Sequence, residues 1–467
     1  MFTKETYTLR RSGLVAKMKE QGLSGIALLM GNDEASKNYP SNQYAMRQDS
    51  TFLYYFGLRR AGFAAIVDID SGEVTLCGDD YTLDDMIWMG VQPSVADDAA
   101  SIGVEKSAPY SAVGTSVASA LNLGRSVHYL PPYRADNRQF LAEVLGVRYS
   151  EVIAGASEGL IKAVVAQREI KDAGEIEQIE MACAIGNRMH RTAMSMCKVG
   201  ATEQSIAGAI EGIALEEGSG VSFHSIVSQH GETLHNHNHS GILTEGRLLL
   251  VDAGAENNMN YCSDHTRTYP ASGVFTDTQK LIYEIVERGL RLAMEMARPG
   301  ITYQSVQREV TYSMVRDLTA AGLLCGDVDA AVEKGVLGLL MPHGLGHQMG
   351  LDVHDMEDLG ERFVGYNELT ERSTVPGMAS LRMGKTLKEG HVVTVEPGIY
   401  FVPALIDKWE SEGKWEEFVN FEEVRKFIGF GGIRLENDIL ITSSGARELG
   451  VESAPLGVKA VEDFMRG

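Results

Sequence analysis

Leu248-Leu-Leu-Val-Asp-Ala-Gly254 runs into the turn-prone Glu256-Asn-Asn-Met-Asn260 and then into Tyr261-Cys-Ser-Asp-His-Thr-Arg-Thr268. Two β-prone runs around a cluster of turn formers spell a hairpin, and a hairpin brings Asp252 and Asp264 face to face. A carboxylate in an apolar run needs a compensating partner. Two more occupy the same kind of place downstream. Glu396 ends His391-Val-Val-Thr-Val-Glu-Pro-Gly398, and Glu436 sits in Gly431-Gly-Ile-Arg-Leu-Glu-Asn-Asp438.

Four carboxylates converging on one sheet face repel each other by several kcal/mol at low effective dielectric unless cations neutralise them. Metal is the implied partner. Met341-Pro-His-Gly-Leu-Gly-His-Gln-Met-Gly-Leu-Asp-Val-His-Asp355 offers His343, His347 and His354 in a Gly-rich segment. Oxygen donors with one imidazole suit Mn²⁺ or Co²⁺, with Zn²⁺ as an alternative, and bridging carboxylates suit two ions. Any of these carboxylates alone reads as a strand-end cap, and a lone histidine as structural; their joint occurrence carries the metal reading. His235-Asn-His-Asn-His239 reads as a loop with at most one functional member, and Gly344-Leu-Gly346 lacks the context of a phosphate cradle.

Outward from these blocks the chain is ordinary in composition. Its 467 residues are 44% hydrophobic and 23% charged, which excludes a disordered or collagen-like chain. A formal charge of -22 disfavours nucleic acid and anionic membranes as partners. Five widely spaced cysteines with no CxxC pair are not a disulfide framework or a zinc finger. Without an apolar leader or a run of about 18 apolar residues, the expectation is a cytoplasmic protein.

Gly25–Met30, Phe63–Asp68 and Val74–Cys77 read as strands of an α/β unit, preceded by a helix near Leu9–Gln21 with Arg and Lys on one face. Helical patterns over 173–196, 203–217, 276–297 and 303–322 then alternate with β-like runs at Leu248–Val251, His391–Val395 and Ile433–Thr442. The fold class expected is α+β with a largely antiparallel sheet, divided into domains 1–168 and 169–467. The acidic, aromatic stretch Asp407–Glu423 reads as an insertion between two strands.

In order, the blocks VDAG, SDHTRT, HGLGHQMGLDVHD, TVEPGIYF and GGIRLEND resemble the pita-bread (creatinase/aminopeptidase) metallopeptidases, a superfamily that holds methionine aminopeptidase, Xaa-Pro aminopeptidase and prolidase. Tyr44-Ala-Met-Arg-Gln-Asp-Ser-Thr-Phe-Leu-Tyr-Tyr-Phe-Gly57 resembles the smaller α/β N-terminal domain of the proline-specific branch. The resemblance implies five metal ligands, Asp252, Asp264, His347, Glu396 and Glu436, with Asp264 and Glu436 spanning two ions. It implies His235, His343 and His354 around the substrate, and Arg434 as the partner that fixes a carboxylate ligand. Two features depart from the family pattern. Asp252 and Asp264 stand twelve positions apart, one more than is usual, so the extra residue must sit in the turn or in a bulge. Position 265 is His where an apolar residue is common, and its direction is open.

The activity implied is hydrolysis of Xaa-Pro bonds by a metal-bridged hydroxide, with Glu396 passing a proton to the leaving nitrogen. His354, and His343 with it, would donate to the developing oxyanion. Arg382, fourteen residues before Glu396, stands where prolidases similar to this chain hold the free carboxylate of a dipeptide. The insertion Val402–Phe430 also resembles the prolidase form. The expectation is an Xaa-Pro dipeptidase, with an Xaa-Pro aminopeptidase as the alternative; a non-catalytic binding module and a metal-independent creatinase-like hydrolase are disfavoured because all five ligands are present. Trp88 matches a tryptophan that relatives insert into a neighbouring subunit's site, which implies a homodimer or homotetramer. The partners expected are proline-containing peptides.

Overall fold

Short apolar runs between turn formers make the first sheet: β1 (Ile26–Met30), β2 (Ala64–Asp68), β3 (Val74–Cys77), β4 (Lys106–Ala108) and β5 (Val127–Tyr129), in the order β4-β3-β2-β1-β5. The sheet is mixed, with β1 antiparallel to β2 and parallel to β5. The computed structural model describes residues 1–467 and separates into two compact units, Met1–Arg168 with Met356–Phe363, and Glu169–Asp355 with Val364–Gly467. Residues 356–363 therefore go with the first unit, which a linear division of the chain does not provide for.

Helix α1 (Lys4–Glu20) does not carry all of its basic residues outward. Arg10 and Arg11 are buried and donate to the carbonyls of Tyr54 and Tyr55 at 3.1 and 2.9 Å. Those carbonyls belong to the last turn of α2 (Ser50–Phe56), which has no intrahelical partner for them. Within the Tyr44–Gly57 block, Ser50–Phe56 thus becomes a wholly buried helix, capped by the Asp49 side chain and ended by Gly57 in the left-handed region. Helices α3 (Leu83–Met89), α4 (Val95–Ser101), α5 (Ala112–Asn122), α6 (Ala135–Leu145) and α7 (Glu158–Arg168) complete this unit.

In the second unit, α8 (Ala173–Met196) and α9 (Glu203–Glu217) begin at the capping side chains of Asp172 and Thr202. Helices α10 (Asp277–Met296) and α11 (Tyr303–Ala320) begin in the same way at Thr276 and Thr302. Their apolar faces share one core with Leu249, Val251, Val393, Val395, Ile433 and Ile439 from the strands. Burying each Leu or Ile there contributes roughly 1.5–3 kcal/mol.

The strands of this unit are β6 (Gly220–Val221), β7 (Ile226–Ser228), β8 (Leu248–Ala253), β9 (Ala255–Glu256), β10 (His265–Pro270), β11 (Val392–Val395), β12 (Gly398–Tyr400), β13 (Gly432–Arg434), β14 (Asn437–Ile441) and β15 (Ala446–Glu448). Their pairings, β10-β8-β7, β11-β14-β15, β12-β13 and β6-β9, are all antiparallel. The run Ile433–Thr442 is not one strand. It breaks at Leu435–Glu436, where the Leu435 N–H turns to the Pro397 carbonyl and Glu436 bridges to Thr266, so β13 and β14 enter different sheets. The insertion lies between β12 and β13 as two helices, Pro403–Ser411 and Phe421–Arg425. Its Ile406, Trp409, Phe418 and Val424 are buried in the main core. No helix is long and apolar enough to cross a membrane.

Candidate metal centre

The hairpin keeps one register from Leu248↔Pro270 through Asp252↔Thr266 to the Glu256↔Cys262 bridge. The extra residue between the aspartates is therefore taken up in the turn, where Asn260 adopts φ 64°, and no bulge interrupts the ladder. Cross-strand partners share a face and side chains alternate along a strand. Asp252, opposite Thr266, and Asp264, two residues before it, thus point to the same side. His265 points to the other, where its ring is fully buried with its centroid 6.0 Å from that of His190.

His347 comes to this face because β11 holds its backbone: Thr394 Oγ1 accepts the His347 N–H at 3.1 Å, and the His347 carbonyl accepts the Thr394 N–H at 3.0 Å. Gly346 permits that approach, since a Cβ there would stand 2.2 Å from the Thr394 carbonyl oxygen. The glycines of this segment serve close packing. His347 Nδ1 donates to the Gln348 carbonyl at 3.0 Å, which leaves Nε2 facing Asp264 Oδ2 at 3.3 Å and Glu396 Oε1 at 3.8 Å. Glu436 is held by the Thr266 hydroxyl, which donates to its Oε2 at 2.6 Å. One ligand atom each from Asp264, His347 and Glu436 lies within 4.8 Å of the others.

Arg434 organises the opposite side. Its Nη2 donates to Asp252 Oδ2, its Nε to Thr266 Oγ1 at 3.1 Å, and its Nη1 to the Tyr400 hydroxyl at 2.7 Å. The Tyr400 hydroxyl in turn lies 2.8 Å from His343 Nε2, and His343 Nδ1 lies 2.8 Å from the Gly344 carbonyl. With Nδ1–H given to that carbonyl, Nε2 accepts from Tyr400, so both nitrogens of His343 are engaged. Burial, with Arg434 adding to it, pushes the imidazole down to about 3, which keeps the ring neutral.

These residues line a cleft of about 700 Å³. Asp252, Asp264, His347, Glu396, Glu436, His235, His343, His354, Arg382 and Arg434 all border it. The His354 ring packs on His347 with centroids 3.9 Å apart. Trp88 is placed on α3 in the first unit, 79% exposed. Tyr400, Phe223 and His224 were not singled out in the sequence, although Phe223 and His224 border the cleft and Tyr400 links Arg434 to His343; His237, in the tract read as holding at most one functional member, borders the cleft together with His235. For Tyr400 the available signal was a hydroxyl in the buried run Gly398–Tyr400; for Phe223 and His224 there was none beyond residue type.

Burial first, then the neighbouring carboxylates, hold Asp264 and Glu436 well above the usual carboxylate range. Glu396 is pushed up to about 8 by burial, with Asp252 adding and Arg434 opposing. The Asp252 Oδ1 atom is buried without a hydrogen-bond partner, since Arg434 takes the other oxygen. An orphaned carboxylate oxygen, three carboxyls that resist ionisation side by side, and an imidazole nitrogen turned toward them fit a divalent cation. The donor set of oxygen and imidazole suits Mn²⁺, Co²⁺ or Zn²⁺.

Residues 177–443 match metallopeptidase family M24, and residues 7–129 match the aminopeptidase P N-terminal domain. The chain is 30% identical to the Xaa-Pro dipeptidase of Rattus norvegicus, over 99% of this chain and 93% of that one. It is also 30% identical to a probable Xaa-Pro aminopeptidase of Aspergillus clavatus, over 90% of this chain and 88% of that one. Among solved structures, zinc-substituted Escherichia coli aminopeptidase P in complex with product superposes with a TM-score of 0.81 at 26% identity, covering 100% of this chain and 99% of that one. The architecture is thus that of an aminopeptidase P-type N-terminal domain followed by a pita-bread domain.

Proposed function

The chain belongs to metallopeptidase family M24, and on that premise we propose that it hydrolyses the Xaa-Pro bond of dipeptides with two divalent metal ions held by Asp252, Asp264, His347, Glu396 and Glu436. The convergence of these donors at the cleft beside Arg382 carries the reading. Four carboxylates call for two divalent charges, and Mn²⁺ is the ion we assign from the oxygen-rich set. When bound, such ions make water nucleophilic near neutral pH and polarise the scissile carbonyl.

The protein's own groups do the rest. Arg434 holds Asp252 in one orientation through a charge-assisted hydrogen bond. Glu396 carries the proton from the attacking water to the prolyl nitrogen, which leaves as an amine. His354 donates to the developing oxyanion. His343 and Tyr400 keep Arg434 in place, and His235 walls the cleft. Arg382 pairs with the free carboxylate of the dipeptide, for which a guanidinium fork is the right shape. An Xaa-Pro bond has no N–H, and its ring fills a pocket that a flexible residue fills poorly.

A second copy of the chain is proposed as a partner. Leu83, Ile87, Trp88 and Met89 are all exposed on one short helix, which supports a contact through Trp88. All five cysteines are free thiols, in keeping with a cytoplasmic setting.

Hydrolysis of a free Xaa-Pro dipeptide and of an Xaa-Pro-Yaa peptide, with Mn²⁺ and after chelation, tests the proposal. The expected result is metal-dependent turnover that favours the dipeptide. Preference for the longer peptide assigns the aminopeptidase activity instead, and metal-independent turnover overturns the mechanism.

A further inference from the structure

On the far side of β10 three side chains meet that peptide hydrolysis does not use. Cys183 comes from α8, His265 opens β10, and Asp438 lies in β14. Cys183 Sγ is 3.3 Å from Asp438 Oδ2, and His265 Nδ1 is 3.8 Å from the same oxygen. One donor atom from each of the three lies within 4.8 Å of the others, and all three side chains are fully buried.

Their hydrogen bonding is incomplete. Neither ring nitrogen of His265 has a partner, and neither has Oδ1 of Asp438. Buried polar groups are nearly always satisfied. A thiol, an imidazole and a carboxyl with vacant positions turned on one another are instead the donor set of a borderline-soft cation. Metal–ligand distances of about 2.0–2.3 Å at tetrahedral angles put donor atoms roughly 3.3–3.7 Å apart, close to the separations found.

We propose that Cys183, His265 and Asp438 form a metal site of their own, distinct from the cleft centre, which takes a thiophilic divalent cation of the zinc class. Asp438 Oδ2 also accepts the backbone N–H of Asp264 at 2.9 Å. The site therefore ties α8, β10 and β14 together behind a cleft carboxylate. Its donors include sulfur, whereas those assigned to the cleft are oxygen and nitrogen only, so the two readings can fail separately.

Full-length protein produced in zinc-depleted, Co²⁺-supplemented medium tests this by its near-ultraviolet spectrum. The expected result is a sulfur-to-cobalt charge-transfer absorption worth one Co²⁺ per chain. Cys183→Ser and His265→Leu should each abolish it and lower metal content by one equivalent, Cys183→Ser with peptidase turnover kept, while Cys262→Ser retains it. Should a variant fold poorly, the wild-type spectrum still decides. Absence of the band in wild-type protein that binds Co²⁺ overturns the proposal, as does its survival in Cys183→Ser or His265→Leu.

Discussion

Arg434 donates through Nη1 to the Tyr400 hydroxyl at 2.7 Å, and that hydroxyl meets His343 Nε2 on its other side. One phenol thus links the guanidinium that holds Asp252 to an imidazole of the cleft wall. Tyr400→Phe strands a buried N–H of Arg434 and the His343 nitrogen, at a cost of about 1–3 kcal/mol. We expect roughly a tenfold or larger fall in kcat with metal content near wild type. A variant that loses its metal in proportion to its activity would contradict this role.

His354 packs on His347 and borders the cleft. His354→Ala should cost about 2.7–4 kcal/mol of transition-state stabilisation, seen mainly in kcat. Metal analysis of the same preparation should match the wild type. Equal loss of both would make His354 a support for the ligands.

Arg382 borders the same cleft. If its guanidinium receives the dipeptide carboxylate, Arg382→Ala should lower kcat/KM for Xaa-Pro by about 1.5–3 kcal/mol, ten- to hundredfold, and spare an Xaa-Pro-amide. Uniform loss on both substrates would place its role elsewhere.

Metal removal should be pH-sensitive. Without cations Glu396 is raised from 4.5 to about 8, and Asp264 and Glu436 are raised too. A raised carboxyl is protonated in the folded state while it is already ionised in the unfolded one. The chelated protein should therefore lose stability as pH rises from about 4.5 to about 8. Metal binding must displace those protons, so its affinity should grow over the same interval. Melting curves with and without chelator should diverge toward higher pH; parallel curves would refute the linkage.

Acid stability should depend on a buried carboxylate held by two lysines. Glu169 is buried and bonded to Lys385 at 2.5 Å and to Lys388 at 3.0 Å. Burial raises its carboxyl, yet the two lysines win and hold it down to about 2. This stability is present above the unfolded value near 4.5 and is lost as pH falls toward 2. Glu169→Gln should cost on the order of 3 kcal/mol at neutral pH, and far less below pH 3. Denaturant titrations at the two pH values measure it.

The sequence by itself determined the local elements and the donor set. Apolar periodicity marked α8 and α9 at their observed ends, because a helix is decided by neighbours within a few positions. Carboxylates set in apolar runs pointed to a cation, because no lone charge is stable there. Only the tertiary structure decided how those groups are used. The hairpin absorbed its extra residue in the turn, and alternation along β10 then turned His265 away from the cleft toward Cys183 and Asp438. The run from Ile433 was divided between two sheets, and both nitrogens of His343 were engaged by Gly344 and Tyr400. Each outcome depends on which partner a polar atom finds across the fold, and residue order along the chain does not carry that choice.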